Sequence, residues 1–247
     1  MTQYGFFFDQ SRCNACGTCA VACKDWNDLP PGSVKYLRVY EWEKGAWPTV
    51  RLHTFLGRCF HCENPVCVDA CPSKAIYKED KYGAVLIDST KCKGTRQCFV
   101  ACPYGAPTFE SDAPGEKANM CHMCVDRLEA GNKPICVMSC PMRALDFDTL
   151  EHLQAKYGNV RDLEDVPSSA TTSPAAIYKK HLDHKVLVPY DAAKALAVNA
   201  SRPVGPAFYT MPTDVTVIPD GLLSRGKLVL KSPNKADFMK QTRSING

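Results

Sequence analysis

The chain has no run of 18 apolar residues, and its opening, MTQYGFFFDQ, lacks the basic segment, apolar stretch and small-residue cleavage site of an export signal. It is therefore expected neither to span a membrane nor to carry its own signal peptide. Charge of one sign is also scarce: 30 Lys and Arg stand against 26 Asp and Glu, a formal +4 that no basic block concentrates. Nucleic acid as a partner gains little support from that balance. No hydrolytic triad, phosphate-binding loop or dinucleotide fingerprint occurs. The 107 residues after Cys140 contain no cysteine. All 15 cysteines fall between Cys13 and Cys140, and a chain of 247 residues has room for a core that needs no staples.

Those cysteines repeat a pattern four times. Group I is Cys13-x2-Cys16-x2-Cys19-x3-Cys23, and group II is Cys59-x2-Cys62-x4-Cys67-x3-Cys71 followed by Pro72. Group III is Cys92-x2-Thr95-x2-Cys98-x3-Cys102-Pro103, and group IV is Cys121-x2-Cys124-x11-Cys136-x3-Cys140-Pro141. A disulfide framework would call for a short secreted chain and an even count, and neither holds. Zinc would use two Cys-x2-Cys pairs and leave the third and fourth cysteine of each group unexplained. The pattern matches the iron-sulfur run C-x2-C-x2-C-x3-C-P, in which three thiolates wrap one cluster and the fourth ligates the other cluster of a pair. Short steps between the first three thiolates let one loop point them at one cube. The fourth cysteine is expected to start a short helix in TCAVACK, PVCVDACP, QCFVACP and PICVMSCP, with proline closing the turn.

Nesting suggests the pairing. Groups II and III lie close together, joined by AIYKEDKYGAVLID, which has the pattern of a hairpin with Gly83 near its turn. They form one two-cluster ferredoxin-like unit, inserted into a second unit in which group IV returns to group I. The expected sites are Cys13, Cys16, Cys19 with Cys140; Cys23 with Cys121, Cys124, Cys136; Cys59, Cys62, Cys67 with Cys102; and Cys71 with Cys92 and Cys98. The last lacks a thiolate because Thr95 stands where it is due, and a hydroxyl protonated near neutral pH is a poor iron ligand. The expectation is three [4Fe-4S] clusters and one [3Fe-4S] cluster at Cys71, Cys92 and Cys98, the alternative there being a four-iron cluster completed by water, hydroxide or another side chain. The three-iron site would be the more oxidising one, with Lys91, Lys93 and Arg96 favouring its reduced state. Four clusters at roughly −2 each, thiolates included, would turn the formal +4 mildly acidic.

The fold class expected is α+β: two nested bacterial-ferredoxin-like units over residues 1–148, with β-hairpin insertions, and a proline-rich docking extension with short helices over residues 149–247. VKYLRVYEWEKGAWPTVRLHTFL alternates and carries Lys44-Gly45 between its halves, which predicts two strands roofing the clusters. Trp26, Trp42 and Trp47 are assigned to packing, and His61 and His122 to supporting neighbouring ligands. A helix from Asp148 to Tyr157 should be capped by Asp148 with Glu151 completing the box, Leu150, Leu153 and Tyr157 sharing a face, and Gly158 ending it. A second helix is expected from Asp191 to about Val198. The remaining extension is proline-broken yet apolar, so it should lie over the core or a partner.

From about Tyr4 to Gly158 the chain resembles the iron-sulfur B subunit of the dimethyl sulfoxide reductase superfamily of molybdopterin oxidoreductases. The likeness rests on SRCNACGTCAVACKDWNDL, RCFHCENPVCVDACPSKAIYK, ACPYGAP, CHMCVDRLEAGNKPICVMSCP and RALDF. It implies a non-catalytic subunit relaying single electrons in anaerobic respiration, between a molybdenum or tungsten catalytic subunit and a membrane quinone-binding subunit. Group I and IV clusters would face the former, and group II and III clusters the latter. The dimethyl sulfoxide type usually has cysteine where Thr95 stands, whereas nitrate-reductase-like members also lose it. The resemblance implies a peripheral place at the cytoplasmic membrane, on the periplasmic side if the chain is co-exported with its catalytic partner. A freestanding polyferredoxin-type soluble carrier is the alternative, and the long extension argues against it.

Overall fold

The computed structural model describes residues 2–46, 50–181 and 191–201. Trp47 and the part of the extension beyond Ser201 lie outside these residues. In chain order the elements are β1 (Tyr4–Asp9), α1 (Thr18–Trp26), β2 (Leu37–Lys44), β3 (Arg51–Arg58), α2 (Val66–Asp69), β4 (Ile76–Lys78), β5 (Val85–Ile87), α3 (Gln97–Ala101), α4 (Val125–Glu129), α5 (Ile135–Met138), β6 (Leu145–Thr149), α6 (Leu150–Tyr157), β7 (Ala176–Lys179) and α7 (Ala192–Ala200). No helix among the described residues is long and apolar enough to cross a membrane.

Phe6, Phe7 and Phe8 organise the first unit, Met1–Lys185. Alternation on β1 sends Phe6 and Phe8 into a core shared with Cys19, Cys23, Cys136 and Cys140, and Phe7 to the opposite face. There Phe7 meets Leu150, Leu153 and Ile177 and stacks on Tyr157 at 3.6 Å between centroids. The sheet therefore stands between the cysteine core and α6. Its order is β6-β1-β7, with β1 antiparallel to β6 (Phe6 opposite Phe147) and parallel to β7 (Phe6 opposite Ala176). Ala176, Ile177 and Tyr178 are buried in that third strand, so the compact unit runs well past residue 148.

The strands expected around Lys44-Gly45 form the antiparallel pair β2–β3, with Gly45 at φ 98° beyond the end of β2. The segment around Gly83 gives the short antiparallel pair β4–β5. A second core gathers Cys59, Cys71, Cys98 and Cys121 with Ile76, Val85 and Met120. Residues 159–175 cover group II: Glu63 N donates to Ser173 O at 2.8 Å, Ala175 N donates to Phe60 O at 3.0 Å, and Arg161 reaches Glu63 at 2.7 Å.

The caps of α6 correct an expectation. Thr149 holds the cap, its hydroxyl accepting from His152 N at 3.3 Å, while Asp148 accepts from the His152 ring at 2.7 Å and Glu151 closes no box. Asp148 is still paired in the strand, opposite Gly5, so its backbone cannot also open the helix. Leu150, Leu153 and Tyr157 do share a face, and Gly158 at φ 84° ends the helix. In the second unit, Val186–Gly247, Asp191 Oδ1 accepts from Lys194 N at 3.0 Å at the start of α7.

Candidate metal centres

Each cysteine group opens with one turn. The residue two past the first cysteine takes a left-handed backbone in all four: Ala15 at φ 55°, His61 at 45°, Gly94 at 66° and Met123 at 61°. Three non-glycine residues accept that cost, of order 1–3 kcal/mol each, because the turn brings successive thiols round to one side. Gly94 has a second constraint, since a Cβ there would collide with the carbonyl carbon of Gly115. Groups I and III share a further device four residues upstream. Asp9 accepts from Ser11 N at 3.0 Å and Asp88 from Thr90 N at 2.9 Å, while their carbonyls accept from Cys13 N at 3.2 Å and Cys92 N at 3.1 Å. These Asx turns were missed from sequence, although D-x-[ST]-x-C occurs in both groups.

The helices correct another expectation. It is the third cysteine, not the fourth, that starts the helix: Cys19, Cys67, Cys98 and Cys136 are each the second residue of α1, α2, α3 and α5. The fourth follows four residues later, at or beyond the helix end except in α1. Its sulfur then meets the next turn. Ala75 N donates to Cys71 Sγ at 3.3 Å, Ala106 N to Cys102 Sγ at 3.5 Å and Ala144 N to Cys140 Sγ at 3.4 Å. The motif behind these bonds, C-P-x-x-A, occurs three times. Group I replaces the alanine with Asn27, whose side-chain amide reaches Cys23 Sγ at 3.7 Å and Cys23 O at 2.7 Å. All four donors sit where negative charge on sulfur would strengthen them.

Cys13, Cys16, Cys19 and Cys140 line one cavity together with Val39 and Leu56, enclosing about 320 Å³ of space that includes its open mouth. Cys71, Cys92 and Cys98 line another of about 300 Å³ with Thr95, Lys93 and Arg96. Burial pushes the Cys19 thiol up to about 12, helped by Cys136, Cys140 and Cys13. Burial raises Cys23 too, and Cys121, Cys136 and Cys124 repel its charge. Cys67 rises to about 12 through burial and then Cys102 and Cys62, and Cys98 to about 11 through burial with Cys71 and Cys92 adding. Between these sets, Cys19 feels Cys136, Cys59 feels Cys121, and Cys67 feels Cys98. The exposed end differs: Thr18 hydrogen bonds hold Cys16 below the usual thiol value.

Among the other expected residues, His61 is fully buried, its Nδ1 accepting from Val85 N at 2.9 Å and lying 3.8 Å from Cys59 Sγ. Burial, with Arg58 and Lys78 adding, lowers its pKa to about 3. The His122 ring meets Asn27 Oδ1 at 2.5 Å. Trp26 donates to Asp126 at 2.8 Å and Trp42 to Asp165 at 3.3 Å. Of the three cations near Thr95, Lys93 and Arg96 line its cavity, Arg96 while pairing with Asp112 at 2.8 Å, and Lys91 pairs with Asp88 at 3.2 Å. Arg58, buried against Cys136, was not singled out from sequence because it reads only as the residue before Cys59.

Thiols that line cavities, repel one another when ionised and receive N–H donors suit a polycationic, multi-atom cofactor, and iron-sulfur clusters meet that description. Residues 12–76 and residues 50–150 each match a family model described as a 4Fe-4S dicluster domain. The fold and its thiols thus define an iron-sulfur cluster protein. The B chain of the anaerobic dimethyl sulfoxide reductase of Escherichia coli (strain K12) is 41% identical over 192 residues, covering 74% of this chain and 92% of that one. The corresponding B chain of Haemophilus influenzae is 38% identical, covering 72% and 90%, and the B subunit of the sulfite dehydrogenase of Allochromatium vinosum is 36% identical, covering 60% and 69%. The chain belongs to the family of anaerobic dimethyl sulfoxide reductase B chains.

Proposed function

We propose that this chain is a conduit for single electrons within a molybdopterin oxidoreductase, with four stations in the order Cys13/Cys16/Cys19/Cys140, Cys23/Cys121/Cys124/Cys136, Cys59/Cys62/Cys67/Cys102 and Cys71/Cys92/Cys98. The observation that carries it is the packing of the sets on one another: one core joins Cys19 and Cys140 to Cys23 and Cys136, and the other joins Cys121 to Cys59, Cys67 and Cys102 and to Cys71, Cys92 and Cys98. Two ferredoxin-like units, one nested in the other, account for that order. Three [4Fe-4S] clusters and one [3Fe-4S] cluster, when bound, supply one-electron transfer without making or breaking bonds. The chain's own residues do the rest. Backbone N–H groups of Ala75, Ala106 and Ala144 and the Asn27 amide stabilise charged sulfur, and buried Phe6, Phe8, Phe60 and Met123 keep water from it.

Thr95 offers a protonated hydroxyl at the fourth station, in the cavity wall that Cys71, Cys92 and Cys98 also line. Both ends of the line carry exposed apolar side chains. Val21, Met138 and Met142 lie by the first, and Phe99 and Val100 by the last. The partners in this reading are a molybdenum catalytic subunit at the first end, which the relatives' names as reductase chains support, and a membrane quinone-binding subunit at the last. The complex is peripheral at the membrane through that second partner.

Anaerobic purification of the tagged chain from its native host tests this. The expected result is about fifteen irons per chain, co-purifying catalytic and membrane subunits, and a near-isotropic three-iron resonance in the oxidised protein. Thr95→Cys should abolish that resonance and raise iron to about sixteen. Colourless material, or zinc in place of iron, would overturn the assignment.

A further inference from the structure

Arg58 closes strand β3 one residue before Cys59, yet its side chain reaches a sulfur of a different station. The residue is 2% exposed. Its guanidinium carbon lies 3.6 Å above the centre of the Phe6 ring, and Nη1 donates to Cys136 Sγ at 3.7 Å. Nε is buried with no hydrogen-bond partner, and among the described residues no carboxylate comes within ion-pair distance. An arginine stays protonated in any protein environment, so this is a buried cation lacking the carboxylate that normally compensates one. The groups it faces that can become negative are thiols: Cys136 within hydrogen-bond distance, and Cys23, Cys121 and Cys19, whose ionised form it favours.

Burying a charge without a partner is costly, and a single face on an aromatic ring returns only part of that cost. The remainder is recovered when the surrounding sulfurs carry negative charge. Its hydrogen bond to sulfur goes to the second station, at Cys136. Cys124 of that station is faced by Arg127.

We infer that Arg58 is a positioning residue for the electron: a fixed, buried cation that makes the Cys23/Cys121/Cys124/Cys136 station more easily reduced than its protein ligands alone would allow. The inference rests on the four-station assignment above. When one electron arrives from a neighbouring iron-sulfur station and later leaves to the next, the site gains and then loses one unit of negative charge. No bond forms or breaks, and the guanidinium keeps its proton throughout. The added charge lies beside a cation that water cannot screen, so the reduced state gains more there than at the other three stations. Phe6 holds the guanidinium plane in place, tying the central strand of the sheet to the charge it supports.

The test compares Arg58→Lys and Arg58→Met in the intact anaerobic complex. Iron and acid-labile sulfide are assayed, and each cluster's potential is followed by redox titration with electron paramagnetic resonance. With full cluster content, Arg58→Met should move one potential to a more negative value by more than any other, while Arg58→Lys keeps most of the native value. If Arg58→Met loses one cluster and Arg58→Lys retains it, the charge is shown to be needed at that station and the inference stands. Unchanged potentials in Arg58→Met would overturn it. So would a shift, or a loss of iron, as large in Arg58→Lys as in Arg58→Met, because packing rather than charge would then be at work. Failure of the four-station assignment would look different, since native protein would itself lack about fifteen irons.

Discussion

Asn27→Ala isolates a single neutral donor at the same station. The Asn27 amide donates to Cys23 O at 2.7 Å and reaches Cys23 Sγ at 3.7 Å, and its Oδ1 meets His122 at 2.5 Å. Removing it costs the end of α1 one ordinary hydrogen bond, about 1 kcal/mol of stability. The contact with sulfur is long, so its strength in the reduced state should exceed that in the oxidised state by only about 0.5 kcal/mol. For a one-electron couple, tenfold is about 1.4 kcal/mol or 59 mV, so the potential should fall by about 20 mV. Asn27→Asp should lower it further, because a carboxylate replaces the donor with a negative charge. Redox titration at fixed pH, monitored by electron paramagnetic resonance, reads both variants against wild type. A potential that rose in either variant, or moved equally at all stations, would refute the idea that C-P-x-x-A backbone donors and Asn27 do the same work.

Two other perturbations probe the scaffold. Ile177→Ala empties a fully buried position between Phe7, Leu150 and Leu153, and should cost about 2–5 kcal/mol in urea unfolding; a loss under about 1 kcal/mol would mean that β7 is dispensable to the core. Asp146 accepts from Lys133 at 2.7 Å, Tyr157 at 2.8 Å and Lys156 at 2.9 Å, and although burial works against its charge these donors hold its carboxyl well below the usual range. A depressed carboxyl stabilises the fold above its unfolded value near 4 and loses that contribution as pH falls below it. The stability gap between wild type and Asp146→Asn, about 1–2 kcal/mol at pH 7 after allowing for its half-exposed lysines, should therefore narrow towards pH 3, and a gap that widened would contradict the assignment.

What was legible in the sequence was whatever repeats at short range. The four groups, the Lys44-Gly45 and Gly83 turns and the apolar face of α6 are local patterns, and a period of two or of 3.6 leaves them visible. The helix register slipped by one cysteine because small residues flank both the third and the fourth, and composition alone does not say which one opens the helix. The Thr149 cap was missed for a similar reason: Asp148 and Thr149 are both good caps, and the choice depends on how far the β6 pairing with β1 runs. Tertiary partners left no local trace at all. Nothing near Arg58 in sequence announces Cys136, 78 residues away, or the Phe6 ring beneath it. The parallel pairing of β7 with β1 spans some 170 residues, so Ala176–Lys179 read as part of an extension when they complete a sheet.

The raised thiols join these two levels. Cys19, Cys67 and Cys121 are pushed to about 12, and in each burial is the first cause and neighbouring thiols follow. Such groups are neutral at pH 7 until a cation compensates them, so loading the stations must release protons, and the charge that then appears is held by donors already in place. Those donors come from turns set by Ala75, Ala106 and Ala144, and from Arg58 at the end of a strand distant in sequence. A charge site organised by so many separate segments cannot relax around the sulfur when an electron arrives. Small reorganisation is what fast one-electron transfer requires, and here it follows from packing that the cysteine spacing alone does not encode.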